Sequence, residues 1–449
     1  MVNFEKRTGP DFGENSPTYP AVDVAQWYTD AKLGFFIHWG LYSVPAWGTP
    51  KGDYNVALED AYTYHQYAEW YANTVRILGS PTQQYQAQTF GEGTSYEDLA
   101  DLWNVGDFNA ADLVGKLVGA GGKYIVPTTK HHDGFALWGT EQSPFNSVNR
   151  GPKRDLIAEI AQATRDAGAR LGLYYSGALD WHISDFPPIE SDTDLFRFRR
   201  NDADFSKFSA AQLQELIDNF APDILWNDIE WPDGGKGHED YALAALLGRY
   251  FEQFPEGVIN DRWGIPFHGY LTREYTHVPE ILPYPWEATR GLGASFGYNQ
   301  NEGPEHTLSE KELIHLLIDV VAKNGNLLLN VGPRADGSIP AIQEERLKQL
   351  GEWIAVHGDA IYGTRPWIRH GEEYTPAQYS PVSYTQKDET LYVHALEPAR
   401  GQFVLPEEVA GKSVQWLTRQ GLVAGNVVEN VVQIPEQLRG LVAAVALVK

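Results

Sequence analysis

The stretch Asp223-Ile-Leu-Trp-Asn-Asp-Ile-Glu-Trp231 reads as a short apolar strand that runs directly into acidic and aromatic residues. Such a run between turns is typical of a strand buried on both faces of a parallel sheet. A carboxylate beside tryptophans at a strand end suits a sugar site, because indole faces contact C–H bonds and a carboxylate meets charge developing at an anomeric carbon. Asp228 is therefore the first candidate for a catalytic group. An aspartate at this point could equally cap the next helix, and the stretch alone does not decide between the two roles.

The same order of apolar run, turn and amphipathic helix recurs through residues 30–360. The predicted strands are 34–38, 123–127, 171–175, 223–226, 257–260 and 326–331, with weaker ones at 270–275 and 285–289. The predicted helices between them are 110–118, 154–167, 210–220, 241–254 and 310–323. Strands that alternate with helices indicate a parallel sheet covered on both faces, and about eight of them predict an α/β fold of the (β/α)8-like barrel type.

The character of the chain changes after the helix predicted at 343–357. Short alternating or apolar runs follow at 390–395, 402–405, 413–417 and 442–448. Short runs of this kind between turns are typical of an antiparallel β-sandwich. We therefore expect a catalytic barrel domain at 1–362 and a C-terminal β-sandwich domain at 363–449. The irregular, aromatic-rich insert at roughly 41–108 is expected to build part of the site.

Polar and aromatic side chains gather where the predicted strands end. In a barrel of parallel strands, catalytic residues come from this face. The groups are His38 with Trp39, residues 130–133, residues 174–176, Asn227 with Asp228, and residues 260–262. Five strand ends that carry such groups are hard to explain by stability alone, so the sequence predicts an active site at this face.

Composition excludes several classes of protein. The formal net charge of −25 argues against nucleic acid and anionic membranes as partners. No cysteine is present, so disulfides, thiolate metal ligands and cysteine nucleophiles are excluded. The sequence has no P-loop, dinucleotide fingerprint or Gly-x-Ser-x-Gly elbow. The N-terminus lacks the apolar core of a signal peptide, which predicts a cytoplasmic protein and leaves secretion open.

A metal site is one alternative use of the histidines. It would need His38, one of His131 and His132, and a carboxylate such as Asp133 or Asp228. The spacing of these residues matches no local zinc motif, such as two histidines four residues apart on a helix. The sequence therefore favours a site without a metal or another cofactor.

Glycoside hydrolysis generally requires a second carboxylate opposite the first. The candidates are Glu69, Glu230, Glu274, Glu287, Glu302 and Glu305. The sequence alone does not choose among them, because the partner must lie opposite Asp228 in three dimensions. Arg262 could bind hydroxyls, hold a carboxylate in place, or simply pair with an acid such as Asp261.

Several segments together resemble a known family. They are 27–47, 67–71, 124–138, 174–181, 224–231, 260–264, 286–299 and 324–333. In this order and spacing they resemble the retaining α-L-fucosidases of glycoside hydrolase family 29, and the bacterial members in particular. The resemblance covers the expected catalytic domain nearly from end to end. It implies the same barrel, followed by a β-sandwich that is matched more loosely.

The resemblance also implies roles for single residues. Asp228 corresponds to the nucleophile and Glu274 to the acid/base of the bacterial members. Because the acid/base differs between subgroups of the family, Glu69 is the competing choice. The positions that match sugar contacts are His38, Glu69, Trp70, His131, His132, Tyr174, Trp226 and Arg262. The positions that match the wall around the fucose methyl group are Phe36, Trp226 and Phe296.

The activity implied is exo-acting hydrolysis of terminal α-L-fucosyl residues by double displacement through a covalent fucosyl-enzyme. The two carboxyl groups should then lie about 5–5.5 Å apart. The implied partner is a fucosylated oligosaccharide or glycoconjugate, with no metal, other cofactor, nucleic acid or membrane, and a homo-oligomer is possible. The preferred linkage and the balance of hydrolysis and transfucosylation stay open. The rival hypotheses are a metal-dependent hydrolase and a non-catalytic fucose-binding protein.

Overall fold

The structure is a computed structural model that describes residues 13–50, 52, 56–373 and 378–449. The N-terminal stretch behind the prediction of localisation lies outside these ranges. Among the helices that the structure describes, none combines the length and the apolar character that a membrane span requires.

The N-terminal part of the described chain is built on eight parallel strands in one curled sheet. They are β1 (Leu33–Ile37), β2 (Tyr124–Lys130), β3 (Arg170–Ser176), β4 (Ile224–Asp228), β5 (Val258–Ile259), β6 (Leu271–Glu274), β7 (Trp286–Gly291) and β8 (Gly325–Val331). Their spatial order is β5-β4-β3-β2-β1-β8-β7-β6. The two edges approach each other, because the N–H groups of Gly269 and Tyr270 donate to the carbonyl of Ile259 at 3.0 and 3.2 Å. This arrangement confirms the predicted (β/α)8-like architecture.

Helices alternate with these strands and also occur in the connecting loops. In the described ranges they are α1 (Gln26–Ala31), α2 (Tyr71–Thr74), α3 (Pro81–Phe90), α4 (Ala110–Gly119), α5 (Leu156–Asp166), α6 (Asp192–Arg197), α7 (Ala203–Phe220), α8 (Leu243–Gln253), α9 (Glu310–Ala322) and α10 (Ala341–His357). Side chains cap several of them: Asn109 for α4, Asp155 for α5, Asp202 for α7 and Ser309 for α9 each accept from a backbone N–H of the first turn. Helix α7 therefore begins seven residues before the predicted segment at 210–220.

Two strands differ from their predicted bounds for a local reason. Strand β4 continues to Asp228, so this residue ends a strand, and the next α-helix begins only at Leu243. Strand β5 has two residues, because the amide side chain of Asn260 takes over the pairing with β4. Its Nδ2 donates to the carbonyl of Asn227 at 2.8 Å, and its Oδ1 accepts from the N–H of Asn227 at 3.2 Å.

The C-terminal part consists of antiparallel strands. They are β9 (Arg365–Glu372), β10 (Val382–Lys387), β11 (Thr390–Ala395), β12 (Gln402–Val404), β13 (Val414–Thr418), β14 (Gly421–Ala424), β15 (Asn426–Val428), β16 (Val431–Gln433) and β17 (Ala444–Val448). In the described residues they form a six-stranded sheet, β14-β13-β17-β11-β10-β9, and a three-stranded sheet, β12-β16-β15. Phe403 and Val432 of the smaller sheet share a buried core with Tyr384 and Trp416 of the larger one. The predicted sandwich is therefore confirmed, and its boundary at residues 362 and 363 stays a prediction.

Candidate active site

The polar side chains predicted to form a site converge at the carboxyl ends of the parallel strands. Asp228 and Glu274 are the last residues of β4 and β6. His38 and His131 directly follow β1 and β2. The insert after β1 reaches the same face through a short 3-10 turn, Ala68–Trp70. The predicted groups therefore come together, although more than two hundred residues separate His38 from Glu274.

Asp228 accepts hydrogen bonds from three different groups. Its Oδ2 accepts from the hydroxyl of Tyr174 at 3.0 Å. Its Oδ1 accepts from Nη1 of Arg262 and from the N–H of Ile229, both at 3.0 Å. Only 12% of its side chain is exposed. These donors fix the orientation of the carboxylate.

Arg262 connects the two principal carboxylates. Its Nη2 donates to Oε2 of Glu274 at 2.9 Å, and its Nε donates to Oγ1 of Thr272 at 3.0 Å. The guanidinium also lies 4.8 Å from the ring centre of Trp226. Burial alone would lower the pKa of Arg262, but the charges of Glu274 and Asp228 raise it above its ordinary value. One permanent cation therefore binds both the carboxylate at the end of β4 and the carboxylate at the end of β6.

Glu274 is the more accessible of the two carboxylates, with 28% of its side chain exposed. Its Oε1 lies 3.4 Å from the hydroxyl of Tyr67, which comes from the insert. The ring of Tyr67 packs edge-on against Phe296 with the ring centres 5.6 Å apart. Sequence reasoning missed Tyr67, and the signal that could have found it is its place at the start of the 67–71 segment that resembles the fucosidases.

His38 presents a hydrogen-bond acceptor to the pocket. Its Nδ1 lies 2.7 Å from Oδ1 of Asn330, and Nδ2 of the same amide donates to the carbonyl of Phe296 at 2.7 Å. Because the carbonyl fixes the orientation of the amide, Nδ1 of His38 must donate and Nε2 keeps its lone pair. Burial lowers the pKa of His38 to about 4, so the ring is neutral near pH 7.

His132 has the same tautomer for a similar reason. Its Nδ1 lies 2.7 Å from Oγ of Ser176, and the hydroxyl of Ser176 donates to the carbonyl of Leu179 at 2.7 Å. Nδ1 of His132 is therefore the donor, and its Nε2 lies 3.8 Å from Oδ2 of Asp228. Burial also lowers the pKa of His132, and the ring is neutral near pH 7. Nε2 of His132 is therefore left as an acceptor for the hydroxyl of a ligand.

His131 has a buried ring nitrogen, Nδ1, that could bind a ligand. Within the described residues, its Nδ1 has no hydrogen-bond partner. Its ring is stacked on Tyr174 at 5.4 Å with an interplanar angle of 3°. Buried polar atoms are nearly always satisfied in folded proteins, so an unsatisfied one in this pocket marks a place for a polar group of a ligand.

Aromatic rings form the walls around these polar groups. Phe36 packs edge-on against Trp226 at 4.8 Å, and Trp226 stacks on Tyr174 at 5.6 Å. Phe296 lies 5.0 Å from His38. On the other side, Trp70 packs against His132 at 5.7 Å and against Trp181 at 5.2 Å. The structure thus brings together every wall residue that the resemblance implied, and it adds Trp181, which sequence reasoning did not single out.

Glu69 joins the insert to the loop after β7. Its Oε2 accepts from the N–H of Gly297 at 2.8 Å and from Oγ of Ser295 at 3.2 Å. Burial raises the pKa of Glu69 to about 7, with a smaller contribution from the charge of Glu274. This carboxyl group is therefore committed to positioning the loop and can exist in either protonation state near neutral pH.

The other candidate carboxylates have structural partners. Glu287 is wholly buried inside the barrel and accepts from the hydroxyls of Tyr28 and Tyr124 and from the indole of Trp226, at 2.8, 2.8 and 2.9 Å. Glu230 pairs with Arg199 and Lys236, Glu302 accepts from the N–H groups of Ala294 and Ser295, and Glu305 lies on the surface beside His306. Of the six candidates, Glu274 is the one that shares Arg262 with Asp228.

A metal centre is the remaining alternative for the histidines. Across residues 13–50, 52, 56–373 and 378–449, no group of three or more histidine, aspartate and glutamate side chains has the arrangement of a metal site. The metal-dependent hypothesis built on His38, His131 and Asp228 therefore has no ligand set in the described part of the chain.

The fold and the site together define a class. A barrel of parallel strands with two strand-end carboxylates beside a pocket of histidines and aromatic rings is the arrangement of a glycoside hydrolase. The family model for α-L-fucosidase matches residues 5–359, and the chain belongs to that family.

Relatives of known structure and known name agree with this assignment. The chain is 33% identical to plasma α-L-fucosidase of Homo sapiens over 414 residues, which are 88% of this chain and 82% of the human protein. It is 42% identical to Thermotoga maritima α-fucosidase in complex with fucose, with a TM-score of 0.85 and coverage of 95% and 97% of the two chains. It is 41% identical to a Thermotoga maritima α-L-fucosynthase in complex with α-L-Fuc-(1-2)-β-L-Fuc-N3, with a TM-score of 0.87 and coverage of 99% and 100%.

Proposed function

We propose that this protein is an exo-acting retaining α-L-fucosidase that releases terminal α-L-fucosyl residues from oligosaccharides or glycoconjugates. The observation that carries the proposal is the bridge from Asp228 through Arg262 to Glu274, with hydrogen bonds of 3.0 and 2.9 Å. It holds two carboxyl groups beside one pocket, as double displacement requires. The expected separation of about 5–5.5 Å between them is part of the proposal.

In the first step, a carboxylate oxygen of Asp228 attacks the anomeric carbon. The bond from that carbon to the leaving oxygen breaks, and the carboxyl group of Glu274 gives its proton to the leaving oxygen. The product is a β-linked fucosyl ester of Asp228 and a free aglycone. The hydroxyl of Tyr174, 3.0 Å from Asp228, helps to keep the attacking group oriented.

In the second step, Glu274 acts as a base. Esterification removes the charge of Asp228, so Glu274 is then the carboxylate that remains bound to the guanidinium of Arg262. Glu274 takes a proton from water, the water oxygen attacks the anomeric carbon, and Asp228 leaves as a carboxylate. Two inversions give fucose with the α configuration of the substrate.

The pocket suits fucose because of the polarity of its groups. Nε2 of His38 and of His132 are acceptors, and Nδ1 of His131 is buried without a partner in the described residues, so the three can bind the ring hydroxyls. Leaving those hydroxyls unpaired in a buried site would be costly. The rings of Phe36 and Trp226 can cover the C5 methyl group, a gain on the order of 1 kcal/mol. The fucose complex of the Thermotoga maritima relative supports this choice of sugar.

Three finer points belong to the same proposal. We place the boundary between the catalytic barrel and the sandwich at residues 362 and 363. We take Glu274 as the acid/base in preference to Glu69, because Glu69 is occupied by Gly297 and Ser295. A sugar hydroxyl in place of water in the second step would give transfucosylation, which the fucosynthase relative supports.

The deciding experiment measures both the substrate and the stereochemistry. 4-Nitrophenyl α-L-fucoside is compared with the β-L-fucoside and the α-galactoside, with and without a chelator, and NMR identifies the anomer released first. We expect turnover of the α-L-fucoside alone, unaffected by the chelator, with α-L-fucose formed first. As a matched control, Glu305→Gln changes an exposed carboxylate and should keep full activity.

Other outcomes would contradict the proposal in distinct ways. Release of β-L-fucose first would mean an inverting mechanism. Loss of activity with the chelator, restored by a divalent ion, would support the metal-dependent rival. Tight binding of fucose without turnover of any of these substrates, or of a fucosylated oligosaccharide, would support the non-catalytic rival.

A further inference from the structure

The two residues after Asp228 have an unusual backbone conformation. Ile229 has φ 55° and Glu230 has φ 61°. The left-handed region is unfavourable for a residue with a side chain, and for a β-branched residue such as isoleucine it is a genuine outlier. Strain of this kind persists only where the surrounding structure enforces it, and it is concentrated at functional sites. Two questions follow for the left-handed turn at residues 229 and 230: which contacts enforce it, and what it contributes to the site.

The use is visible in the hydrogen bonds of Asp228. Immediately before the left-handed turn, the N–H of Ile229 lies 3.0 Å from Oδ1 of Asp228. Nη1 of Arg262 donates to the same oxygen at 3.0 Å. The backbone thus supplies a second donor, and the left-handed turn anchors the chain that follows this peptide group. The carboxylate of Asp228 is therefore oriented by a backbone N–H as well as by the Arg262 side chain.

The cause lies in the side chain of Glu230. Its Oε2 lies 3.3 Å from Nη1 of Arg199 and 4.0 Å from Nζ of Lys236. The side chains of Arg199 and Lys236 are only 1% and 2% exposed. Buried cations are costly unless they are paired, so this cluster strongly favours the position that brings the Glu230 carboxylate between them. Lys236 also pairs with Asp233 at 2.8 Å, and Asp233 lies outside the turn.

Two glycines make room for Glu230. A Cβ atom on Gly177 would lie 1.9 Å from the carbonyl oxygen of Glu230. A Cβ atom on Gly264 would lie 3.0 Å from the carboxyl carbon of Glu230. Gly177 cannot carry a side chain while the backbone of Glu230 stays where it is, and a side chain at Gly264 would press on the side chain of Glu230. The neighbouring loops are therefore shaped around the left-handed turn.

We propose that Glu230 is a positioning residue, whose ion pair with Arg199 holds Ile229 and Glu230 in the left-handed conformation and thereby keeps Asp228 aimed at the sugar. This inference rests on the proposed role of Asp228 as the nucleophile. It gives Glu230 a function through Asp228, without contact between Glu230 and the substrate.

The first test compares two substitutions in one ion cluster. Glu230→Gln keeps the shape of the side chain and removes the charge that holds the turn, whereas Asp233→Asn removes a carboxylate of the same cluster that does not belong to the turn. Active sites are counted by titration with 2-deoxy-2-fluoro-α-L-fucosyl fluoride, and mass spectrometry locates the label. Rates are then expressed per titrated site, so that unfolded protein does not affect them.

We expect kcat of Glu230→Gln to fall about 10-fold to 100-fold, the scale of a slight misplacement of a reacting group, with KM changed less than about two-fold. The loss should be equal for aryl fucosides with good and with poor leaving groups, because the nucleophile is affected and the acid is not. Asp233→Asn should keep kcat within about two-fold of the wild type. Wild-type kcat in Glu230→Gln, or an equal loss in Asp233→Asn, would overturn the proposal.

A second test does not depend on Glu230→Gln folding. Ile229→Gly and Ile229→Ala remove the same side chain, and only glycine also relieves the left-handed backbone. Glycine is ordinarily the less stable of the two residues, so a higher Tm for Ile229→Gly than for Ile229→Ala is the signature of an enforced turn. A higher Tm for Ile229→Ala would contradict the inference.

The titration also separates this inference from the proposed function. If the fluorinated sugar labels a residue other than Asp228, the nucleophile assignment fails, and the positioning role falls with it. If it labels Asp228 while Glu230→Gln has the wild-type kcat, the proposed function stands and the positioning role alone is wrong.

Discussion

Nη2 of Arg262 donates a hydrogen bond of 2.9 Å to Oε2 of Glu274. The same guanidinium binds Asp228 through Nη1, so the charge state of one carboxylate affects the other through a shared cation. In the proposed mechanism Asp228 carries the sugar as a neutral ester, which leaves Glu274 as the carboxylate bound to Arg262. The geometry of one side chain thus connects the two carboxylates of the proposed mechanism.

The shared guanidinium predicts a strong effect of Arg262→Lys. Lysine keeps the charge, but an ammonium group is a point charge that cannot make two parallel hydrogen bonds from a planar fork. We expect kcat/KM on 4-nitrophenyl α-L-fucoside to fall about 10-fold to 100-fold, the size of a lost charge-assisted hydrogen bond. The matched control is Arg273→Lys, which changes an arginine that binds the carbonyl of Thr272 and should have little effect. Full activity in Arg262→Lys would show that the fork is not needed.

Azide separates the roles of Asp228 and Glu274 by stereochemistry. Asp228→Ala should lose about 10⁴-fold or more of kcat, and azide entering the vacated space should restore part of it with a β-fucosyl azide as product. In Glu274→Ala, azide should attack the fucosyl-enzyme and give an α-fucosyl azide. The anomers are assigned by NMR. An α-azide from Asp228→Ala, or wild-type activity without azide, would contradict the nucleophile assignment.

The sequence predicted those features of the fold and site that depend on local patterns. Strand β4 and Asp228 at its end could be predicted, because an apolar run that stops at an acidic residue is a local signal. Glu274 and Glu287 could not be told apart from composition or spacing alone, since both lie in short strands among aromatic residues. The structure separates them by position: Glu274 ends its strand at the pocket, whereas Glu287 points into the barrel beneath Trp226.

The contacts that the insert makes with the site could not be predicted from local sequence patterns. Tyr67 approaches Glu274, and Trp181 packs on Trp70, only because the 3-10 turn Ala68–Trp70 docks over the strand ends. That docking depends on long-range packing and on hydrogen bonds such as the one from Gly297 to Glu69. The resemblance to fucosidases predicted Glu69 and Trp70 as site residues, and the structure shows why they lie there.

The competition between Glu274 and Glu69 can be decided with leaving groups. An acid/base residue matters most for a poor leaving group, so Glu274→Ala should lose about 10²–10⁴-fold on an unactivated fucosyl oligosaccharide. It should lose much less in the first step with 2,4-dinitrophenyl α-L-fucoside. Glu69→Ala should lower the activity on both substrates to a similar extent, because it loosens the loop that carries Phe296. The opposite pattern, with leaving-group dependence in Glu69→Ala, would transfer the acid/base role to Glu69.

The buried carboxyl of Glu287 predicts how stability depends on pH. Burial raises the pKa of Glu287 from 4.5 to about 7, although hydrogen bonds from Trp226, Tyr124 and Tyr28 oppose the shift. Between these values the folded protein holds a proton that the unfolded chain releases. The contribution of the group to stability is therefore fully present below pH 4.5 and is lost as the pH rises through about 7.

Glu287→Gln removes this titration while keeping the size of the side chain. The stability of the wild type relative to Glu287→Gln should therefore fall by on the order of 1–3 kcal/mol between pH 5 and pH 8, as a shift of this size implies. Urea unfolding at the two pH values measures the difference, and the exposed Glu305→Gln serves as a control without pH dependence. A constant difference between the wild type and Glu287→Gln would mean that Glu287 keeps an ordinary pKa. The three donors around it would then stabilise the carboxylate as well as water does.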